Sequence, residues 1–272
     1  MGVTTNLINK PLNPRAQDQS PLAYNRAALY SGKALSFDGV NDNIKTPNIS
    51  VQSSNIWTYS VNVKINTGNI LAWYIFDTRL NEAAGQGAHF TSLSQLQIFQ
   101  VGDSSRKSDF VFERNQWYKI DITSDASNVK LYINGVFSQS FAPINAVSVL
   151  DELTIGARYT NNYSLNGQMA GFKAFDVALT AAQIADLYNF PEKIVPTGLE
   201  SNLKLWLPMM ETTGTTAYDG SGNGNHGTIS GATYVNGVGA AVAQTSVIDW
   251  NKSYYFDGVD DSFTTGTYQN LG

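Results

Sequence analysis

Residues 33–46 are KALSFDGVNDNIKT, and residues 252–265 are KSYYFDGVDDSFTT. The shared pattern F-D-G-V-x-D recurs in register 219 residues later, which indicates a duplication inside the chain. The second copy follows two segments, LKLWLPM at 203–209 and DGSGNGNHG at 219–227, that have no counterpart in residues 1–32. The chain therefore contains one nearly complete unit and the opening part of a second.

Between the two copies the sequence has the pattern of many short strands. From residue 33 to about residue 173, runs rich in Val, Ile, Tyr, Phe and Thr are separated by Gly, Asn, Asp and Ser, and Trp57 to Ile65 alternates between apolar and polar residues. Asn134 and Gly135 stand between two such runs, and this pair favours a type I′ hairpin because both positions take positive φ. These features predict an antiparallel β-sandwich.

One segment departs from the strand pattern. Residues 180–188, TAAQIADLY, have apolar residues at helical spacing, and Thr180 with Gln183 forms a capping box. Pro191 ends this predicted helix shortly afterwards. We therefore divide the chain into an extended N-terminal arm at residues 1–32, a first unit at 33–190, a linker at 191–200 and a partial second unit at 201–272.

Composition excludes several classes of function. Of the 272 residues 12% are aromatic, which is incompatible with intrinsic disorder. The net charge of −5 and the absence of a Lys/Arg cluster argue against a nucleic-acid partner. No apolar run approaches the roughly 18 residues of a membrane helix, so no membrane insertion is expected. The chain has no cysteine, which excludes disulfides and thiolate chemistry, and two histidines leave little room for a zinc site.

Taken in order, the motifs resemble those of a laminin-G-like, concanavalin-A-like jelly roll of the lectin/glucanase superfamily. The resemblance covers residues 33–190 and 200–265. It implies an all-β, antiparallel jelly-roll sandwich with one short C-terminal helix and an extended N-terminal arm. The motifs are Trp206, residues 219–227, Phe37-Asp38-Gly39, Trp117-Tyr118, Tyr132-Ile133-Asn134-Gly135, Ile155-Gly156, residues 167–175, and residues 178–188.

The first unit lacks its opening strand, and three hypotheses account for this. Residues 200–250 fold back to supply the strand, which adjacent termini in such sandwiches would permit. Alternatively, residues 200–272 pair with another subunit, since an unfinished sheet exposes edges. The third hypothesis is a piece of a longer tandem protein. We favour the first two, because an isolated third of a sandwich would not be stable.

The resemblance also suggests glycosidase activity as a function. That chemistry needs two carboxylates about 5–9 Å apart on one sheet face. Asp151 and Glu152 are adjacent and would face opposite sides of a strand, and Asp109 and Glu113 would be about 13 Å apart. We therefore predict that the protein is not an enzyme.

Turns rich in Asp and Asn suggest a structural calcium ion, because they offer hard oxygen ligands. The alternative is that these side chains cap loop amides as Asx turns do. The candidate ligands are Asp38, Asn41, Asp42, Asp219, Asn223, Asn225, Asp257, Asp260 and Asp261.

A glycan site needs aromatic rings beside amide or carboxylate groups on loops. The segment Tyr159-Thr160-Asn161-Asn162-Tyr163 is the first candidate, and Trp73-Tyr74 is the second. The alternative is that Trp73 belongs to the core and that the tyrosines are surface residues with exposed hydroxyls. Trp57, Trp117 and Trp206 lie in strand patterns, and we expect them in the core.

The function that we expect is a non-catalytic structural or attachment protein of a phage virion, such as a tail, fibre or capsid decoration component, with a lectin-like jelly roll. Its partners would be surface glycans or other virion proteins, and the arm together with residues 201–272 would form a homo-oligomer. It would assemble in the host cytoplasm, since the chain starts without a secretion signal and has no cysteine. A secreted, extracellular bacterial carbohydrate-binding module is the alternative, and a glycoside hydrolase is third.

Overall fold

The computed structural model describes residues 33–49, 51, 54–69, 72–79, 84–146, 152–190 and 193–236. The predicted arm at 1–32 and the second sequence copy at 252–265 lie outside the described residues. The strands and the α-helix are β1 (Lys33–Asp38), β2 (Asn43–Thr46), β3 (Trp57–Ile65), β4 (Ala72–Asp77), β5 (Gln86–Thr91), β6 (Gln95–Gln100), β7 (Asp103–Val111), β8 (Trp117–Ser124), β9 (Val129–Ile133), β10 (Val136–Phe141), β11 (Leu153–Ile155), β12 (Asn166–Phe175), α1 (Ala181–Asn189), β13 (Leu203–Leu207), β14 (Thr216–Ala217), β15 (Gly227–Ser230) and β16 (Thr233–Asn236).

The strands form two antiparallel sheets. Sheet A has the order β10-β9-β8-β3-β12-β1-β16, and β13 also pairs with β12. Sheet B has the order β14-β15-β2-β11-β4-β5-β6-β7. The predicted class is confirmed: the described chain is an all-β antiparallel sandwich with one short α-helix.

The core lies between the sheets and follows the period of two that strands impose. On β3 the side chains of Trp57, Tyr59, Val61, Val63 and Ile65 all enter the main core cluster. The alternation seen in the sequence therefore reflects one buried face.

The three tryptophans expected in the core occupy different environments. Trp57 is fully buried in the main cluster, whereas Trp117 is buried in a small separate cluster with Ala34 and Ala170. The expectation for Trp206 was wrong, since its side chain is half-buried and packs outside the main core over Gly220. The cause is strand alternation: Leu203, Leu205 and Leu207 are the buried residues of β13, and Trp206 points away from them.

Local signals in the sequence are confirmed. Asn134 and Gly135 both have positive φ, at 52° and 78°, as the hairpin requires. Thr180 and Gln183 form the predicted capping box at the start of α1. Ile184 and Leu187 on α1 pack against the outer side of sheet A with Tyr132 and Phe175.

Among the described residues, no helix is long and apolar enough to cross a membrane.

Residues 203–236 contribute strands to both sheets. In sheet A, β13 pairs with β12 and β16 pairs with β1, while in sheet B β15 pairs with β2. The opening strands that sequence comparison assigns to a second unit thus lie against the first unit of the same chain. The division into arm, unit, linker and partial second unit stays a prediction.

Candidate functional site

The loop of residues 156–165, here called the Tyr163 loop, connects β11 to β12 and is closed by its own backbone. The amide of Asn161 donates to the carbonyl of Arg158 over 2.8 Å, and the amide of Arg158 donates to the carbonyl of Asn162 over 3.0 Å. The Thr160 hydroxyl donates to the side-chain oxygen of Asn162 over 2.7 Å. These contacts leave Thr160, Asn161 and Asn162 exposed at the tip of an ordered turn.

Tyr163 has an uncommon backbone conformation for a bulky residue. Its φ is 53°, and that of Asn161 is 59°. A non-glycine residue in this left-handed region costs about 1–3 kcal/mol, so the surrounding structure must hold it there. The amide of Tyr74 donates to the carbonyl of Tyr163 over 3.2 Å, and the Tyr163 ring remains 41% exposed. The strained backbone therefore directs an aromatic ring towards solvent.

A buried ion pair ties this loop to β4. Arg79 donates through Nε to both carboxylate oxygens of Asp77 over 3.0 Å and through Nη2 to Oδ2 over 2.6 Å. The same Oδ2 accepts the amide of Tyr159 over 3.1 Å, and Nη2 also donates to the Tyr74 hydroxyl over 3.0 Å. Asp77 is fully buried, so the pair acts as a structural clasp between the strand and the loop.

Aromatic rings and cations form the floor beneath the loop. The Tyr74 ring stacks on His89 at 4.8 Å between centroids and lies 6.4 Å from the Tyr163 ring. The guanidinium of Arg79 lies over Tyr159 at 5.1 Å, and that of Arg158 lies over the same ring at 5.4 Å. Arg158 also lies over the Tyr163 ring, at 5.9 Å, but Tyr159 is half-buried whereas Tyr163 is exposed, so the Tyr163 ring is the more accessible of the two.

Desolvation also sets the charge of this floor. Burial, together with the nearby cation Arg79, lowers the pKa of His89 to about 4. Burial raises the pKa of the Tyr74 hydroxyl. Both rings are therefore neutral between pH 5 and 8, and neither adds a titrating charge to the loop surface in that range.

The structure brings together most of the residues predicted for a glycan site. Tyr74, Tyr159 and Tyr163 lie near one another, and Asn161 and Asn162 lie at the tip of the same loop. Trp73 does not join them, because it faces the main core and is only 5% exposed. The site also contains four residues that were not predicted from the sequence: Asp77, Arg79, His89 and Arg158. Of these, only Arg158 had a local signal, as the neighbour of Tyr159.

In the first turn that was predicted to bind a metal, the side chains form hydrogen bonds to the backbone of the turn itself. The Asp38 carboxylate accepts the amide of Val40 over 2.8 Å, and the Asp42 carboxylate accepts the amide of Asp38 over 2.8 Å. The side chain of Asn43 donates to the carbonyl of Asn41. Burial raises the pKa of Asp42, which lies beneath this turn. These contacts are those of capping side chains.

The second turn, residues 218–226, here called the Asp219 loop, is similarly arranged. Asp219 Oδ1 accepts the amides of Trp206 and Ser221 over 3.0 and 2.9 Å, and Oδ2 accepts the amide of Asn225 and the hydroxyl of Ser221 over 2.9 Å. Burial alone would raise the pKa of Asp219, but the amide donors outweigh it and the pKa is lowered. Asn223 donates to the carbonyl of Leu203.

Metal binding at these turns stays a prediction. Within the described part of the chain, no group of three or more His, Cys, Asp or Glu side chains is placed to hold a metal ion. Asp257, Asp260 and Asp261 lie outside the described residues.

Two antiparallel sheets packed face to face around one core define a protein of the jelly-roll β-sandwich class. The model of the Laminin_G_3 family, described as the concanavalin A-like lectin/glucanases superfamily, matches residues 38–185, more than half of the chain. The chain therefore belongs to this family. A comparison with curated proteins found no match.

Solved structures agree with the fold. A candidate carbohydrate-binding protein from Bacteroides ovatus superposes with a TM-score of 0.59 at 16% identity, over 75% of this chain and 59% of that one. This chain thus corresponds to about three fifths of that protein. Domain 4 of an extracellular GH43 arabinanase from Geobacillus stearothermophilus, solved with arabinotriose, gives a TM-score of 0.48 at 19% identity, over 57% of this chain and 76% of that one. At these identities the likeness shows the fold alone.

Proposed function

We propose that the protein binds carbohydrate through the Tyr163 loop without catalysing a reaction on it. The observation that supports this most directly is the Tyr163 ring, which is 41% exposed although its backbone is held in a strained conformation. Strain of this kind is found mainly where surrounding structure maintains it for a function.

The surface of this loop suits a sugar chemically. A pyranose presents apolar CH groups on one face and hydroxyls around its rim, so an aromatic ring can cover the face while amides bond the rim. Tyr163 supplies the ring, and the exposed amides of Asn161 and Asn162 supply donors and acceptors beside it. Because backbone hydrogen bonds already order this loop, little conformational entropy is lost on binding.

The comparisons support the same class of function. The family includes lectins and glucanases, and the Bacteroides ovatus protein is described as a candidate carbohydrate-binding protein. Since binding modules and glycoside hydrolases share this fold, the fold does not separate the two. The site itself favours binding, because its carboxylate, Asp77, is fully buried and bonded to Arg79 and to the amide of Tyr159.

The wider setting that we propose is attachment or structural decoration of a phage virion, with a homo-oligomer formed through the arm and residues 201–272. A cysteine-free, polar chain with a lectin-like fold supports it. A secreted bacterial module and a glycoside hydrolase are the second and third candidates. Finding the protein by mass spectrometry in purified particles would support the virion role, and finding it only in culture medium would favour the secreted module.

The test of sugar binding is a glycan array with the intact protein, followed by titration of the best ligand. We expect Tyr163→Ala to weaken binding by about 10- to 100-fold, since an aromatic side chain loses about 1.5–3 kcal/mol of burial. Tyr218→Ala is the matched control, because Tyr218 is 58% exposed on the Asp219 loop. A blank array, or equal loss in both variants, would contradict the proposal.

A further inference from the structure

Residues 33–46 fill a position that closes both sheets, here called the β1–β2 slot. In sheet A, β1 lies between β12 and β16, and in sheet B, β2 lies between β11 and β15. The segment thus joins the strands of residues 153–175 to those of residues 227–236. The residues that surround this slot determine which side chains fit in it.

The slot requires a phenylalanine and a glycine at fixed places. Phe37 is 1% exposed, and its ring packs so closely on Gly156 that a Cβ there would overlap it. Gly39 has a φ of 84°, and a Cβ on it would lie 2.9 Å from the Cβ of Asn166. A side chain at position 39 would therefore be strained both by backbone conformation and by contact.

The slot also requires an aspartate at position 42. Asp42 is 4% exposed and accepts the amide of Asp38, which fixes the turn between β1 and β2. Its carboxylate lies against Gly231, where no Cβ would fit. Leu35 and Ile44 are fully buried on either side of this turn, so both positions favour apolar side chains.

Residues 252–265 carry the phenylalanine, glycine and aspartate that the slot requires, and they place larger aromatic residues at its two apolar positions. Seven of their fourteen positions are identical to those of residues 33–46, and the identities include the ones that the slot demands. The matching residues are Phe256, Asp257, Gly258 and Asp261, with Tyr254 and Phe263 at the positions of Leu35 and Ile44. We propose that the β1–β2 slot also accepts residues 252–265 of the same chain, which replace residues 33–46 there.

The connection in the chain permits this exchange. β16 ends at Asn236, whose Cα partner across the sheet is Lys33, the first residue of β1. Antiparallel neighbours can be joined by as few as two residues, and residues 237–251 separate β16 from the second copy. A strand formed by residues 252–257 would therefore enter beside β16 in the direction that β1 has now.

Packing makes residues 33–46 the preferred occupant. Ile44 already lies 2.5 Å from the place of a Cβ on Gly227, so the larger Phe263 would overfill that site. Overfilling a packed core is destabilising. Residues 252–265 should occupy the slot mainly when residues 33–46 are destabilised there. The proposed glycan site plays no part in this exchange.

A disulfide trap in the full chain tests the proposal, since the natural sequence has no cysteine. Ser36 and Gln168 are Cα partners on β1 and β12, and both are half-buried. Tyr255 corresponds to Ser36 in the second copy. The test variant carries Tyr255→Cys with Gln168→Cys, and the positive control carries Ser36→Cys with Gln168→Cys. Thr264→Cys with Gln168→Cys controls for random collisions.

We expect the test pair to form an intramolecular disulfide, seen as a monomer on non-reducing gels and confirmed by peptide mass spectrometry. Adding Gly39→Val, which weakens the first segment, should raise the trapped fraction about tenfold. Adding Gly258→Val instead should abolish trapping. If Gly39→Val prevents folding, the slow accumulation of the disulfide over hours in the chain with both glycines gives the answer. Trapping no greater than in the Thr264→Cys control, or only dimeric products, would overturn the proposal.

Discussion

The Asp219 loop and the Tyr163 loop are both short, polar and rich in asparagine, yet they use their side chains in opposite ways. In the Asp219 loop, the carboxylate accepts four hydrogen bonds and the Asn223 amide donates to the backbone of β13. In the Tyr163 loop, backbone hydrogen bonds hold the turn and the side chains at the tip are exposed.

The two loops also differ in the residues that take left-handed backbone conformations. The Asp219 loop uses Gly222 and Gly224, at 88° and 74°, which adopt positive φ without a steric penalty. The Tyr163 loop uses Asn161 and Tyr163. A polar loop is therefore not in itself a binding site. One loop uses its polar groups to fix its own backbone, whereas the other has strained backbone conformations and leaves the side chains at its tip exposed.

Asp219→Ala should have the largest effect on stability. It removes the acceptor of four hydrogen bonds, and we expect the free energy of unfolding to fall by about 3–4 kcal/mol because several donors lose their partner. Urea unfolding measures it. Asp219→Asn should lose less, since one oxygen remains. A loss below about 1 kcal/mol for the alanine variant would show that the loop is not held by this carboxylate.

Acid sensitivity should arise beneath the Tyr163 loop. The pKa of His89 is lowered to about 4, whereas an unfolded histidine has a pKa near 6.5. His89 binds a proton more readily in the unfolded state than in the folded state. The contribution of neutral His89 to the free energy of unfolding is therefore complete above pH 6.5 and is lost as pH falls towards 4. We expect the free energy of unfolding to fall by about 2 kcal/mol between pH 7.5 and pH 5, a value that allows for the partial contact of His89 with solvent.

The contribution of His89 can be isolated by difference. His89→Phe keeps a ring against Tyr74 and removes the titrating group. Urea unfolding at pH 7.5, 6 and 5 should show a smaller loss in the variant than in the natural chain. Equal losses in both would mean that groups other than His89 dominate in this range.

Sequence reasoning succeeded where the signal was local. The capping box of Thr180 and Gln183 and the turn at Asn134 and Gly135 need only neighbouring residues, and both are present. The error at Trp206 was avoidable, since the alternation L-K-L-W-L already puts Trp206 on the face of Lys204. The strand period, and not the size of the aromatic ring, decides where the Trp206 side chain lies.

Only part of the candidate site could be predicted from the sequence. The Tyr159 to Tyr163 segment was recognisable because its aromatic and amide groups are contiguous. His89 reaches Tyr74 because β5 pairs with β4, and Asp77 reaches the amide of Tyr159 across 82 positions of sequence. Such contacts depend on which strands and loops lie side by side, and the residues of one segment alone do not specify this.

A matched pair of variants measures the strain in the two loops directly. Tyr163→Gly should raise the free energy of unfolding by up to about 1 kcal/mol, because glycine relieves the positive φ, while it abolishes the proposed sugar binding. Gly222→Ala should lower the free energy of unfolding by about 1 kcal/mol, since a Cβ there meets no atom within 4 Å and the cost is purely conformational. Changes of the same sign would contradict the comparison.

Calcium should have the smallest effect. At tenfold above a dissociation constant typical of extracellular calcium modules, a bound ion would stabilise the fold by about 1.4 kcal/mol. We expect a smaller gain than this at the Asp219 loop, because the ion would compete with the hydrogen bonds that the carboxylate already accepts. Thermal unfolding in calcium and in chelator measures the difference. A rise in Tm that Asp219→Asn removes would instead show that the capping arrangement gives way to a metal site, and the contrast between the two loops would then fail.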